Sequence, residues 1–125
     1  MNFVQNTARL YEVEDTVTAA FQFQSGVLGS GSWSFIAPEG SRTDRIDFVG
    51  TKGKLSCSTF DFSPIVFETE TGMQEFAEEN PDNIQLYLIQ SIVDYLNGKG
   101  DLPVSTARSA IRTNWVMDKI LGYNL

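Results

Sequence analysis

Gly50 to Lys54, GTKGK, is the stretch whose residue types and spacing come nearest to a ligand-binding pattern. Glycines and a lysine are what a phosphate loop uses, with backbone N–H groups around the phosphates and the lysine against their charge. Such a loop also needs Ser or Thr directly after its last lysine, at the mouth of a helix. Here Leu55, Ser56 and Cys57 follow and continue a strand pattern, so GTKGK reads as a hairpin turn in which Gly50 and Gly53 supply positive φ. Other chemistry is sparse. The chain has no histidine, which removes Ser/His/Asp and Cys/His pairs, histidine bases and the commonest zinc ligand sets. Asp15, Asp44 and Asp47 leave carboxylate acid/base chemistry open, although carboxylates beside Arg42 and Arg45 are more simply surface pairs. The single Cys57 has no internal disulfide partner and no histidine to depress its pKa, so it reads as a small buried thiol.

Charge narrows the field further. The formal net charge is −7, and residues 61–82 carry Asp61, Glu68, Glu70, Glu75, Glu78, Glu79 and Asp82 with no Lys or Arg. An acidic surface without a compensating basic stripe disfavours nucleic acid. The acidic window lacks the ordered ligand spacing of a Ca²⁺ loop and reads as a solvated face, with no metal bound. Near the C-terminus Arg108, Arg112, Trp115 and Lys119 recur at steps of four, three and four, which puts them on one side of a helix. That side is either a partner contact or basic groove wall, or, more simply, a solvated face with Trp115 covered by arginine stems.

The elements that must position these residues follow from periodicity. A chain of 125 residues with 42% hydrophobic content is expected to be one domain, residues 1–125, with a single core. No run of about 18 apolar residues and no charged leader before an apolar block is present, so the chain is expected to be soluble and cytoplasmic. After an uncertain leader, residues 14–24 alternate, with Val17, Ala19, Phe21 and Phe23 on one face. Ser25 and Gly26 turn the chain into residues 27–37. Leu28, Ser30, Ser32, Ser34 and Ile36 share one face there, and Val27, Gly29, Gly31, Trp33 and Phe35 the other. The two glycines leave room for a large side chain from a neighbour. The hairpin at residues 44–59 comes next, with Ile46 and Phe48 facing one way and Arg45, Asp47 and Val49 the other. Strands over 64–71 and 73–77 follow, joined across Thr71 and Gly72.

From Asn80 onward the pattern becomes helical. Asp82 is the expected N-cap of a helix through Leu96 whose apolar arc is wider than a surface stripe. Asn97 to Gly100 stop it, and Ser105 begins a second helix ending near Gly122. The expected fold is α+β: an open, mainly antiparallel sheet of about six strands with two C-terminal helices packed on one face. The other face, carrying Trp33 and Phe35 or Leu28 and Ile36, would meet a partner, most simply a second copy of the chain in a two-fold dimer.

Four segments in order, YEVEDTVTAAFQFQSGVLGSGSW, DRIDFVGTKGKLSCSTF, IQLYLIQSIVDYL and STARSAIRTNWVMDKIL, resemble the C-terminal domain of the glucose-fructose oxidoreductase / inositol dehydrogenase (Gfo/Idh/MocA) family. The resemblance runs from about Tyr11 to Leu121. It implies a two-domain plan in which an N-terminal Rossmann domain binds NAD(P) and this α+β domain shapes the substrate site and mediates oligomerisation. The cofactor motif GxGxxG has no counterpart, since GSGSW lies in a strand and lacks the third glycine and the following helix. The family's Glu-Lys-Pro lysine and its Asp and His upstream of YEVEDTV also match no position.

The chain is therefore expected to be a domain fragment of an NAD(P)-dependent oxidoreductase acting on a sugar- or polyol-like substrate, with Met1 introduced by truncation or an odd start site. It supplies no catalytic residue and binds no cofactor by itself. Trp33, Phe35, Arg42 and Arg112 are the candidates for a substrate cleft or interface. The alternative is a freestanding module that uses its open sheet to bind a protein or small ligand.

Overall fold

The computed structural model describes residues 1–77 and 79–122, which leaves Glu78 of the acidic window outside the described residues. Two compact units form, residues 1–41 with the chain from Pro103 onward, and residues 42–102.

The first unit holds β1 (Asn2–Gln5), β2 (Thr16–Gln22) and β3 (Leu28–Ser34) in an antiparallel sheet of that order, and α2 (Ala107–Leu121). The opposed pairs Val4–Val17, Val17–Trp33, Ala19–Gly31 and Phe21–Gly29 fix the register. Opposed residues share a face in an antiparallel sheet. Val17, Ala19, Phe21, Gly29, Gly31 and Trp33 therefore share one face, and Thr16, Thr18, Ser30, Ser32 and Ser34 the other, as the alternation predicts. The Thr18 and Ser32 hydroxyls are 3.0 Å apart on the polar face. On the apolar face the Phe21 ring lies over Gly29 and the Trp33 ring over Gly31, filling the space that the glycines leave. Ala19 sits beneath as the one buried apolar residue among the described residues.

β1 falls in the uncertain leader, where four residues are too few to show a period. Asn2 at its start donates to the Lys119 carbonyl, 3.3 Å away, and ties the strand to α2. α2 begins where a capping box closes: the Thr106 hydroxyl accepts from the Ser109 N–H at 3.3 Å, and the Ser109 hydroxyl accepts from the Thr106 N–H at 2.9 Å. It stops at Gly122, whose φ of 82° suits the left-handed cap.

The second unit is a four-stranded antiparallel meander, β4 (Ile46–Gly50), β5 (Gly53–Cys57), β6 (Ile65–Thr69) and β7 (Gly72–Phe76), followed by α1 (Leu86–Leu96). Its register pairs Phe48 with Leu55 and Leu55 with Phe67. Ile46, Phe48, Leu55, Cys57, Ile65, Phe67 and Phe76 thus line one face, and Asp47, Lys54, Ser56, Glu68 and Glu75 the other. Lys54 and its cross-strand neighbour Glu68 form an ion pair at 2.7 Å. α1 starts later than expected. Asn83, rather than Asp82, turns the chain, accepting from the Gln85 N–H at 3.0 Å, and no side chain caps the helix start.

The α+β class and antiparallel pairing are as expected, but the strands divide into sheets of three and four. The division falls where Pro38 and a 3-10 turn at Glu39–Ser41 lead the chain out of β3. α2 touches β1 of the first sheet, whereas α1 belongs to the other unit. On the second sheet's apolar face Phe48 is 60% exposed. Among the described residues no helix is long and apolar enough to cross a membrane.

Candidate functional site

The three aspartates that left acid/base chemistry open each hold the chain in place. Asp15 is fully buried. Its Oδ1 accepts from the Thr7 N–H at 2.9 Å and the Thr16 hydroxyl at 3.0 Å, and its Oδ2 accepts from the Ala8 N–H at 2.8 Å. Burial opposes ionisation, but the Thr7 and Ala8 amides and the Thr16 and Thr7 hydroxyls together outweigh it, and the pKa lies below the usual carboxylate value. The backbone of Asp15 also donates to Gln5 and accepts from Phe35. One residue thereby joins β1, the 6–14 loop, β2 and the chain leaving β3. Arg9, in the pinned loop, takes a φ of 56° and donates its N–H to Asn6 Oδ1 at 2.8 Å.

Asp44 plays the same part in the second unit. Its Oδ2 accepts from the Ser58 hydroxyl and from the N–H groups of Thr59, Phe60 and Asp61, at 2.9, 2.5 and 3.3 Å for the three amides. The Ser58 hydroxyl, then the Phe60 amide, lead the lowering of its pKa to about 2, against the opposing effect of burial. Asp47 lies on the polar sheet face. It accepts from the Ser56 hydroxyl at 2.6 Å and from Arg45 Nε at 2.9 and 3.0 Å, and these two partners, in that order, hold its pKa down. A general base working near neutrality needs its pKa raised towards that range. These carboxylates are shifted the other way, with their lone pairs engaged, so the geometry gives no support to an acid/base centre here.

The GTKGK stretch forms a two-residue turn, Thr51 and Lys52, between the paired Gly50 and Gly53. Only Gly53 has positive φ, at 149°, so the expectation for Gly50 is corrected. A side chain on Gly53 would run into the Glu68 carbonyl of β6, which is why a glycine is needed there. Phe48, Leu55 and Phe67, with the turn, line a groove of about 360 Å³. Its walls are mainly apolar, unlike a phosphate cradle.

Three of the four candidate cleft residues fall in the first unit and one in the second. Trp33 is on β3 with its ring over Gly31, and Phe35, just beyond β3, is 75% exposed. Arg112 is exposed on α2. Arg42 opens the second unit and pairs with Asp61 at 2.9 Å. Within the first unit no hydrogen bond or ion pair joins any two of Trp33, Phe35 and Arg112 among the described residues. On α2 Trp115 is 61% exposed, so arginine stems do not cover it, and Lys119 Nζ lies 6.0 Å from its ring centroid. Cys57 is half-buried. No group of three His, Cys, Asp or Glu side chains placed to hold a metal ion occurs among the described residues.

Residues 2–56, from β1 almost to the end of β5, match the family model of the GFO/IDH/MocA C-terminal domain. Over those residues the chain resembles a GFO/IDH/MocA C-terminal domain. It is similar to Oxidoreductase P35 of Formosa agariphila, with 30% identity over 106 residues, which cover 85% of this chain and 32% of that protein. A solved chain from Thermotoga maritima, assigned as an oxidoreductase, shares the fold at a TM-score of 0.74 and 20% identity, over 98% of this chain and 36% of its own. The chain thus spans about a third of the length of either relative.

Sequence reasoning missed the roles of Asp15 and Asp44 inside the domain. The available signals were local: Asp15 lies at the start of the alternating stretch 14–24, and Ser58-Thr59 follows the end of the second strand of the 44–59 hairpin pattern. Neither signal says which amides a carboxylate will collect, since Thr7 and Ala8, or Thr59 to Asp61, reach it only through the fold.

Proposed function

We propose that this chain is the substrate-side and assembly domain of an NAD(P)-dependent oxidoreductase acting on a sugar- or polyol-like substrate, and that it is not catalytic by itself. The observation that carries this reading is the open apolar face of the second sheet, with Ile46, Phe48, Ile65 and Phe76 all exposed. A face of that kind is completed by other protein. The match of residues 2–56 to the GFO/IDH/MocA C-terminal domain and the oxidoreductase name of the relative support the reaction class.

The residues of this chain do not fit a nicotinamide cofactor. Gly50 to Lys54 turns between two strands instead of opening a helix. The spaces over Gly29 and Gly31 are filled by Phe21 and Trp33, so no backbone there is free to approach a pyrophosphate. Cofactor binding and hydride transfer accordingly fall to a nucleotide-binding domain elsewhere in the intact enzyme. Trp33, Phe35, Arg42 and Arg112 remain the candidates to border its substrate cleft. A second copy of the chain covers the exposed apolar face, giving a homo-oligomer. A cytoplasmic setting suits a chain whose single cysteine has no internal partner.

Titration with NADH and NADPH, read by energy transfer from Trp33 and Trp115, tests the division of labour. Linear, unsaturable quenching is the expected result, and saturable binding by this chain alone would overturn the reading. Light scattering over a concentration series should show association; a monodisperse monomer at high concentration would remove the assembly role.

A further inference from the structure

α2 presents a stripe with a defined chemistry. Arg108, Arg112, Trp115 and Lys119 fall within one narrow arc, all are exposed, and none of the three cations bridges a carboxylate among the described residues. An exposed tryptophan flanked by arginines is the composition of an interface hot spot rather than of an ordinary solvated face.

The same chain carries a complement. Asp61 and Glu68 are spent on Arg42 and Lys54, but Glu70 and Glu75 are exposed and form no ion pair among the described residues. Between them Met73 is 62% exposed, on the same face of β7 as Glu75. β7 is the outer strand of its sheet. The spacings match: Met73 and Glu75 are about 7 Å apart along a strand, while Trp115 stands about 4.5 Å along the helix axis from Arg112 and about 6 Å from Lys119. Trp115 set against Met73 would bring flanking cations to Glu70 and Glu75.

We propose that the cationic, aromatic face of α2 docks on the acidic β6–β7 hairpin of a second copy of this chain. The charges are complementary, and a two-fold dimer makes the contact twice. This surface is separate from the apolar sheet face and goes beyond the assembly role stated above. The two are distinguishable, because docking through charges weakens with salt and sheet apposition does not.

Sedimentation velocity on two charge-reversed forms tests it, one with Arg108→Glu and Arg112→Glu, the other with Glu70→Lys and Glu75→Lys. Far-UV circular dichroism confirms that each is folded. Each form alone should self-associate at least about tenfold more weakly than the parent at low salt, and the parent should lose affinity similarly at roughly 0.5 M salt. An equal mixture of the two should regain association, since each copy offers the other a matched surface. Unchanged association of either form overturns the proposal. So does rescue only when all four changes are in one chain, which would put the contact within a single copy. If a reversed form fails to fold, the milder Arg112→Ala and Glu75→Ala forms decide: each must weaken association at low salt and leave high-salt behaviour unchanged, and an unchanged salt dependence sinks the idea.

Discussion

The ring of Phe21 lies across Gly29, its directly opposed neighbour on β3, and occupies the space that a side chain at position 29 would need. The glycine is therefore part of the packing, an aromatic ring covering backbone that would otherwise face solvent. Gly29→Val should drive Phe21 out of place and cost about 1–3 kcal/mol, the usual penalty of overpacking. Urea denaturation measures the loss. Adding Phe21→Ala to the valine variant should cost less than the two single changes summed, because the clash is then gone.

Asp44 predicts how the second unit responds to acid. Its folded pKa is about 2 against an ordinary 3.8, so between these values the unfolded chain binds more protons than the folded one. Stability then rises with pH across that window. The contribution of Asp44 is complete above about pH 4 and is lost as pH falls through about 2. Asp15 and Asp47 are shifted the same way and add to the slope. Denaturation midpoints over this range should fall steeply towards low pH in the parent and less steeply in Asp44→Asn.

The same carboxylate makes a local prediction. Asp44→Ala removes the acceptor of three amides, at Thr59, Phe60 and Asp61. Those amides should exchange with solvent faster by on the order of tenfold, while amides of β2 and β3 keep their protection. Exchange followed residue by residue by NMR separates this local loosening from global unfolding, in which all strands would speed up together.

Legibility in the sequence followed the range of the forces. Alternation fixed the faces of β2, β3 and β4 correctly because the period of two survives whatever packs on the strand. Gly122 marked the end of α2 because its cap is local. β1 stayed hidden, being four residues long and defined by pairing with β2 across the ten residues, 6–15, that separate Gln5 from its partner Thr16. The division into two sheets depends on how the chain leaves β3 after Pro38, which residue types at a turn do not decide. The candidate site was less legible still. Trp33 and Arg112 could be named from composition, but the hydrogen bonds that engage Asp15 and Asp44 come from amides, which carry no side-chain signature.

The two glycines of the β4–β5 turn should respond differently to one methyl group. Gly53 has a φ of 149°, and an added Cβ would meet the Glu68 carbonyl, backbone that cannot swing aside. Gly50 has no such φ, and its nearest contact would be ordinary, 3.8 Å from the Gly53 carbonyl oxygen. Gly53→Ala should therefore lose about 1–3 kcal/mol, and Gly50→Ala should stay within about 0.5 kcal/mol of the parent. Equal losses in thermal or urea unfolding would show that the turn is not held as described.

Phe48 tests whether the second sheet's apolar face is an interface or a core. It opposes Leu55, which opposes Phe67, in a ladder of large side chains that alternation places on one face, and Phe48 itself is 60% exposed. Replacing a side chain already that exposed removes little buried area, so Phe48→Lys should change unfolding free energy by less than about 1 kcal/mol. The same change places a charge in the middle of an apolar patch and should weaken self-association on the order of tenfold or more, because a lone charge must then be desolvated when the faces meet. Stability and association would move together if Phe48 were packed inside the free chain. Their separation, association lost and stability kept, is the expected outcome from paired urea denaturation and sedimentation measurements.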